Sequence, residues 1–398
     1  VVTQSSTERM RTWQGPAIFS FGFRPFFFFG AIWLVIAMLV WMLALSGSFY
    51  LPSHFDIVSW HAHEFLFGYL GAVLAGFLLT AVPNWTGRLP IVGWPLAAFF
   101  ALWCAGRITI FTSAFFPVWL GTGLDIAFPI LLGSLVLREI IAGKNWHNLI
   151  VLALLAFYTL GNILFHFEAL TEGYALKGTG IRLGLATSIM MITFIGGRII
   201  PSFTRNWLVR RKHPARPTPP MQVFDKFILL ASLTILLLWV FFPVQIITAV
   251  LLLVFGILHT IRLIRWRGYH TLRQPLIWIL HISYAFIPLG AIVLAADTLT
   301  GSTSHAPALH IWMAGAIGSM TIAIMTRATL GHTGRDLFAN RATVVMYICL
   351  LASVVFRVTL SGYPQFIMLS GLLWITAFGG FVIIYGPSLL CPKTASSK

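Results

Sequence analysis

Two histidines and a glutamate open one of the apolar stretches of this chain. His61, His63 and Glu64 begin a run of about 20 residues that otherwise carries almost no charge, and such a run is long enough to cross a bilayer. Ionisable side chains in a membrane helix are costly unless they pair with one another or bind an ion. The three residues are therefore candidates for metal binding, and Glu64 is also a candidate for proton transfer.

Further histidines come from separate apolar segments at a similar predicted depth. His63, His166 and His310 could converge near the outer face, and imidazole is a common ligand of haem iron and of copper. His61 and His63 are about 200° apart on an ideal helix, so one rigid helix cannot direct both to one ion. Either the helix starts after His61, or the two histidines serve different sites. For any single histidine, a hydrogen-bonded packing role stays open.

Two arginines also lie within apolar segments. Arg107 and Arg357 are expected to be buried, and a buried guanidinium needs an anion. The acids that could serve are Glu64, Asp125 and Glu168, and the propionates of a haem are the alternative. Both partners stay open, so the two arginines are candidates for cofactor binding, and Glu64 and Asp125 are the candidate catalytic acids.

The composition places these residues in a polytopic membrane protein. Of 398 residues, 58% are hydrophobic and 9% are charged, and the mean hydropathy is +0.89, whereas soluble proteins carry about 25% charged residues. The net charge of +16 comes from short basic loops. No segment is long enough for a soluble nucleic-acid-binding domain, so that class of function is excluded. The chain has no C-x-x-C-H motif, so any haem is held non-covalently.

Twelve apolar segments of spanning length predict an all-α fold, one integral membrane domain that covers 1–398 and lies in the lipid bilayer. They run roughly over 26–46, 60–82, 94–112, 115–137, 147–169, 181–203, 223–242, 244–265, 275–297, 306–328, 342–361 and 366–386. Lys and Arg concentrate in alternate loops, which predicts that both termini are cytoplasmic. The longest inner loop, 206–221, is basic and rich in proline.

A weak internal repeat suggests three four-helix units. Aligning Thr86, Thr204 and Thr333 near the inner ends of the second, sixth and tenth helices places His63 opposite His310, each 23 residues before its threonine. Chance similarity among glycine-rich membrane helices is the alternative explanation.

Several motifs of the chain resemble the NnrS family, and the resemblance spans nearly the whole chain. They are GFRPFF at 22–27, WHAHE at 60–64, AGFLLTAVPNWTG at 75–87, GGRIIP at 196–201 and LGHTGR at 330–335. Members of that family are multi-pass proteins of the bacterial inner membrane, associated with haem, copper and the response to nitric oxide. The resemblance implies a b-type haem and copper here, and its motifs fall on His61, His63, Glu64, His310 and His332.

The first functional hypothesis is a haem- and copper-binding protein that binds, detoxifies or senses nitric oxide. Nitric oxide is small and partitions into lipid, so a buried metal needs no wide substrate channel. We expect His63 and His310 to be the axial ligands of a haem, with His61, Glu64 and His166 near a second metal. A single protein ligand would leave the iron a site for nitric oxide, whereas two would favour electron transfer.

Two other hypotheses remain. A nitric oxide reductase would need two electrons and two protons for each pair of nitric oxide molecules. Glu64 and Asp125 could carry the protons, and the sequence does not identify the electron donor. A twelve-helix transporter without redox metal would fit the possible repeats, but its characteristic Asp-Arg loop signature is absent and the polar residues are mostly of metal-ligand type.

Overall fold

The computed structural model describes residues 13–86, 91–301 and 305–392, with the backbone alone for 82–86. Within these residues all regular structure is helical, and twelve helices are long and apolar enough to cross a membrane. They are α1 (Phe23–Leu45), α2 (Ile57–Ala81), α3 (Trp94–Phe111), α4 (Val118–Ala142), α5 (Trp146–Glu172), α6 (Thr179–Arg210), α7 (Val223–Phe241), α8 (Ile246–Arg265), α9 (Pro275–Leu299), α10 (Ala306–His332), α11 (Arg341–Thr359) and α12 (Pro364–Leu390). The predicted all-α fold with twelve spans is confirmed, and the chain is a multi-pass membrane protein.

Polar side chains cap the N-termini of several of these helices. Asp56 precedes α2 and accepts hydrogen bonds from the backbone N–H groups of Val58 and Ser59 at 2.9 and 3.1 Å. Glu168, near the end of α5, accepts from the N–H of Thr179 at 2.6 Å and so caps α6. These bonds satisfy N–H groups that the helix itself leaves unpaired.

Three helices contain a π-helical segment in the described part of the chain. α2, α6 and α10 each contain a π-helical segment, at Glu64–Tyr69, Ile192–Gly196 and Ile311–Gly318. They are also the most enclosed spans. In α2, α6 and α10, 78%, 78% and 72% of an apolar 18-residue stretch is buried, against at most 61% in any other span. These are the same three helices that the aligned threonines relate. Because π-helical segments are rare and often occur at functional sites, the side chains around them are candidates for such a site.

The chain divides into two compact units. The first unit comprises the described residues of the ranges Val1–Gly184, Ala328–Asp336 and Phe378–Lys398, and the second those of Leu185–Arg327 and Leu337–Ala377. Each unit contains its own buried polar cluster. The single domain over 1–398, the three repeats and the cytoplasmic termini stay predictions.

In the first unit, aromatic packing and one arginine hold α1 against its neighbours. Phe26 of α1 lies 5.4 Å, centroid to centroid, from Phe99 of α3, which stacks on Phe128 of α4 at 4.8 Å. Arg24, which is 3% exposed, donates to the carbonyls of Leu389 and Cys391 at 2.8 and 2.6 Å. Arg24 thereby satisfies carbonyl groups that the end of α12 leaves unpaired.

Candidate metal centre

The π-helical segment of α2 has carbonyl groups that two neighbouring side chains satisfy. A π-helix breaks the regular i to i−4 pairing of the backbone, so some carbonyl groups need outside donors. The hydroxyl of Tyr158 donates to Leu66 O at 2.7 Å, and Nε1 of Trp103 donates to Gly68 O at 2.9 Å. Through these two hydrogen bonds, α5 and α3 hold the π-helical segment in place.

His63 lies at the centre of the buried cluster of the first unit. Its Nδ1 is 2.9 Å from Oε1 of Glu64, and its Nε2 is 3.2 Å from Oδ2 of Asp125 and 3.1 Å from Oδ1 of Asn162. His63 and Glu64 have no exposed surface. Within the described residues, both ring nitrogens therefore lie against hydrogen-bond acceptors.

Asp125 of α4 joins the side chains that come from the other helices. Its Oδ2 lies 3.0 Å from Nε2 of His166 and accepts from Nδ2 of Asn162 at 2.7 Å. Asn162 and His166 are four residues apart on α5, so they share one face of that helix. Ligand-type atoms of His63, Asp125 and His166 all lie within 4.8 Å of one another.

Arg107 of α3 donates to both carboxylates of the cluster. Its Nη1 donates to Oε1 of Glu64 at 2.6 Å, and its Nη2 donates to Oδ1 of Asp125. The other oxygen of Glu64 accepts from Nε1 of Trp33 at 2.7 Å. A Cβ atom at Gly68 would lie 2.4 Å from Nη1 of Arg107, so only glycine leaves room for the guanidinium. Of the two partners left open for Arg107, the structure shows protein carboxylates.

The charges of this cluster do not balance without a cation. Glu64 and Asp125 carry two negative charges when ionised, and Arg107 supplies one positive charge. An imidazole facing an acceptor at each nitrogen must either carry two protons or share one lone pair with a metal ion. The cluster therefore fits either a second proton on the imidazole of His63 or a metal ion between His63, His166 and Asp125.

The second coordination sphere of such an ion is already in place. Metal-binding histidines usually donate their other N–H to a carboxylate or another oxygen, which fixes the tautomer. Glu64 occupies that position for His63, and Oγ1 of Thr122 lies 3.3 Å from Nδ1 of His166. Two imidazoles and a carboxylate from three helices suit copper, zinc or iron better than calcium or magnesium.

His61 lies elsewhere, as its spacing from His63 indicates. The α-helical part of α2 starts at Ile57, so both histidines lie on regular turns and point in different directions. The ring of His61 stacks on Trp41 at 4.4 Å and lies 4.3 Å from Phe65. His61 is not part of the cluster around Asp125, and its role as a metal ligand stays a prediction.

His310 lies in the second unit, directly before the π-helical segment of α10. Its Nδ1 is 2.7 Å from the carbonyl oxygen of Ala306, so Nδ1 carries the proton and Nε2 the lone pair. Arg357 of α11 is close enough for its charge to act on this imidazole. An imidazole held through Nδ1 by a backbone carbonyl is typical of metal ligands. That His63 and His310 bind one haem, with Arg107 and Arg357 at its propionates, stays a prediction.

His332 lies at the end of α10, in the part of that helix that belongs to the first unit. The structure places its ring between two aromatic side chains, 5.6 Å from Phe21 and 5.5 Å from Phe23. It is not part of the buried cluster, and its assignment as a ligand stays a prediction.

Two side chains of the cluster, Asn162 and Trp33, are not among the candidates that the sequence indicates. Asn162 is an amide in an apolar segment, four residues before a candidate ligand, and this spacing could have identified it. Trp33 carries no comparable signal, because tryptophan is common in membrane helices and only the fold brings Nε1 to Glu64.

A family model described as NnrS protein matches residues 17–393, nearly the whole chain. No curated protein matches the chain at a significant level.

Proposed function

The chain belongs to the NnrS family, and from this premise we propose that it binds haem and copper and acts in the nitric oxide response of the bacterial inner membrane. The twelve apolar spans and the basic loops between them support the membrane assignment. Nitric oxide is neutral and soluble in lipid, so it can reach metal centres enclosed by helices. A metal centre that binds it would lower its concentration in the membrane or report its presence.

One observation carries the copper site, namely that both nitrogens of His63 face hydrogen-bond acceptors. A copper ion would take Nε2 of His63, Nε2 of His166 and a carboxylate oxygen of Asp125. When no ion is bound, a second proton on His63 supplies the positive charge instead. Copper leads the divalent first-row ions in affinity for nitrogen and oxygen ligands, and bound copper would supply one-electron chemistry at this position.

The haem site centres on His310. Its Nε2 offers a lone pair in a fixed direction, and Arg357 offers a cation for a propionate. Bound haem would supply an iron to which nitric oxide can attach. The backbone carbonyl of Ala306 orients the imidazole of His310. The sequence also predicts His63 as a haem ligand, but its contacts with Asp125 and Asn162 favour the copper site instead.

The copper assignment is tested by metal analysis of the purified protein. Wild-type protein should bind about one copper per chain, and His166→Ala should lose most of it because a ligand is missing, as second-shell changes alone cost 10–100-fold in affinity. His54→Ala is the matched control, since His54 is exposed and its Nε2 lies 3.4 Å from a carbonyl, Phe116 O. If His166→Ala retained its copper, the assignment of His166 as a ligand would be wrong. If the purified protein held iron or zinc instead of copper, the assignment of the metal would be wrong.

The haem assignment is tested by the optical spectrum with and without nitric oxide. His310→Ala should lose the Soret band or shift it, whereas His305→Ala should keep it. His305 lies five residues earlier, and its Nδ1 is 3.9 Å from a carboxylate oxygen of Asp297. A spectrum that His310→Ala leaves unchanged would exclude this ligand, and His63→Ala tests in the same way whether His63 also holds the haem.

A second candidate function is nitric oxide reduction, which a continuous set of polar contacts favours. Glu64, His63, Asp125 and His166 form an unbroken series from α2 to α5, so a proton could move along it. Two nitric oxide molecules, two electrons and two protons would give nitrous oxide and water. Production of nitrous oxide by the purified protein with a reduced donor would support this candidate, and no production with both cofactors bound would favour a binding role.

A further inference from the structure

The second unit contains a buried hydrogen-bonded series whose proton positions can be assigned. The hydroxyl of Ser232 donates to Ile228 O at 2.7 Å, so it must accept from His259, whose Nε2 lies at 2.8 Å. Nε2 therefore carries the proton of this imidazole, and Nδ1 carries the lone pair. That lone pair lies 2.7 Å from the hydroxyl of Tyr284. The phenol of Tyr284 therefore donates its proton to Nδ1 of His259.

Arg262 fixes the other side of the phenol. Its Nη1 donates to the hydroxyl oxygen of Tyr284 at 3.1 Å and to Thr193 O at 2.9 Å, and its Nε donates to Oδ1 of Asp225 at 2.7 Å. A guanidinium cannot accept a proton. Among the described residues, the phenol proton thus has one basic acceptor, the imidazole of His259.

The series is closed to water. Tyr284 and His259 have no exposed surface, Arg262 is 1% exposed and Asp225 is 4% exposed. Rings enclose the pair, since Trp266 lies 4.5 Å from Tyr284 and Phe255 lies 4.3 Å from His259, centroid to centroid. A phenol held against a base in a dry, aromatic surrounding can lose an electron without becoming a radical cation, because its proton moves to the base at the same time.

We propose that Tyr284 and His259 form a site of proton-coupled one-electron oxidation whose oxidant is nitrogen dioxide. One electron leaves the phenol of Tyr284 and reduces nitrogen dioxide to nitrite. The O–H bond of Tyr284 breaks, and its proton forms a new N–H bond at Nδ1 of His259. The products are a neutral tyrosyl radical, an imidazolium and nitrite, so electrons, protons and charge balance.

The surrounding charges make this step reversible. The imidazolium of His259 would stand near Arg262, with Asp225 as the only carboxylate in the series, so the transferred proton is held weakly. When a thiolate gives one electron to the radical and becomes a thiyl radical, the proton on Nδ1 of His259 moves back to the phenolic oxygen. Arg262 keeps that oxygen in place throughout through its Nη1–H.

The choice of oxidant rests on the proposed function, whereas the redox activity of the pair does not. Nitric oxide and dioxygen both concentrate in lipid and react there to give nitrogen dioxide, which is neutral and reaches buried side chains. A protein that meets nitric oxide in the membrane would therefore also meet this oxidant.

The first experiment uses a photogenerated oxidant, tris(bipyridine)ruthenium(III), on the purified full-length protein, with electron paramagnetic resonance as the readout. Wild type should form a tyrosyl radical whose signal has a component that Tyr284→Phe lacks, beside the signal of exposed tyrosines such as Tyr50 and Tyr269. Tyr158→Phe is the matched control, because Tyr158 is as deeply buried but donates to a carbonyl, Leu66 O. Equal radical yields in Tyr284→Phe and wild type would overturn the proposal.

The proton acceptor is tested by a variant that keeps the phenol. His259→Gln retains a hydrogen-bonding group and lacks the base, so radical formation at Tyr284 should fall several-fold. Wild type should form the radical more slowly in deuterium oxide. An unchanged yield in His259→Gln, or equal rates in the two solvents, would overturn the role of His259.

The oxidant is tested by repeating the measurement with nitrogen dioxide generated by pulse radiolysis of nitrite. Appearance of the Tyr284 radical with this probe supports the choice, and its absence, with the radical still formed by ruthenium, overturns it. The haem and copper content of the same samples is measured separately. Loss of the proposed function would show as missing metal, and it would leave the ruthenium result intact.

Discussion

His63 and Glu64 are adjacent in the sequence, and Nδ1 of His63 lies 2.9 Å from a carboxylate oxygen of Glu64. Successive side chains on a regular helix point about 100° apart, so this contact falls where the regular geometry ends and the π-helical segment begins. The carboxylate keeps the proton on Nδ1. Nε2 is thereby directed towards Asp125 as the atom that binds a proton or an ion.

Glu64→Gln should weaken copper binding by about 10–100-fold, because the amide no longer fixes the tautomer of His63 by charge. Copper titration against a competing chelator measures this affinity. Glu168→Gln is the matched control, since Glu168 caps α6 and makes no contact with the cluster in the described structure. Equal affinity in Glu64→Gln and wild type would show that the carboxylate does not support the site.

Gly68→Ala should lower the stability of the protein by about 1–3 kcal/mol, the usual cost of overpacking. The new Cβ would lie 2.4 Å from Nη1 of Arg107, which cannot move away because two carboxylates hold it. Thermal unfolding in detergent measures the change. Gly123→Ala in α4 is the control, because nothing lies within 4 Å of its Cβ position. The idea fails if both variants unfold at the wild-type temperature.

Arg107→Gln should cost about 3–5 kcal/mol, because it leaves two buried carboxylates without their cation. Asp125→Asn in the same chain should restore part of that loss, since the charge of the cluster returns to its original value. A double-mutant cycle on unfolding free energies should give a coupling of about 0.5–3 kcal/mol. Strict additivity would contradict the charge balance described for Glu64, Arg107 and Asp125.

His270 should titrate below its usual pKa of 6.5. Partial burial lowers the pKa of His270, and the charges of His213 and Arg267 lower it further. The imidazole rings of His213 and His270 lie 4.5 Å apart, centroid to centroid. Because the folded state then binds fewer protons than the unfolded chain, the local structure should lose stability as the pH falls through 6.5 and keep it above that value.

Nuclear magnetic resonance titration of the His270 ring measures this pKa. His213→Gln and Arg267→Gln should each raise it towards the usual value, and His147→Gln should have no effect. A pKa that neither variant changes would contradict the electrostatic explanation.

The twelve spans were predictable because hydrophobic length alone decides which segments cross a bilayer. The π-helical segments were not, since their carbonyl groups depend on donors from other helices, such as Tyr158 and Trp103. The division into two units was equally unpredictable from the sequence, because three of its four boundaries lie inside α6, α10 and α12, and the fourth lies in the loop between Asp336 and Leu337.

Much of the buried cluster could be inferred from residue type and helix period. His63, Glu64, Asp125 and His166 were all singled out as polar groups near one membrane face, and the divergence of His61 from His63 followed from their spacing. The network around Tyr284 was missed, because serine, tyrosine and a lone histidine are common in membrane helices. Only the fold shows that the hydroxyl of Tyr284 meets the lone pair of His259.

The π-helical segment at Glu64–Tyr69 ties the number of residues in this stretch to the geometry of the metal centre. A wide turn of this kind holds one residue more than an α-helical turn, as a single insertion would produce. Deleting any one of these positions would rotate the preceding turn, with its imidazole, by about 100° relative to the rest of the helix. Sequences that share this centre should therefore tolerate substitutions within the stretch far better than any change in its length.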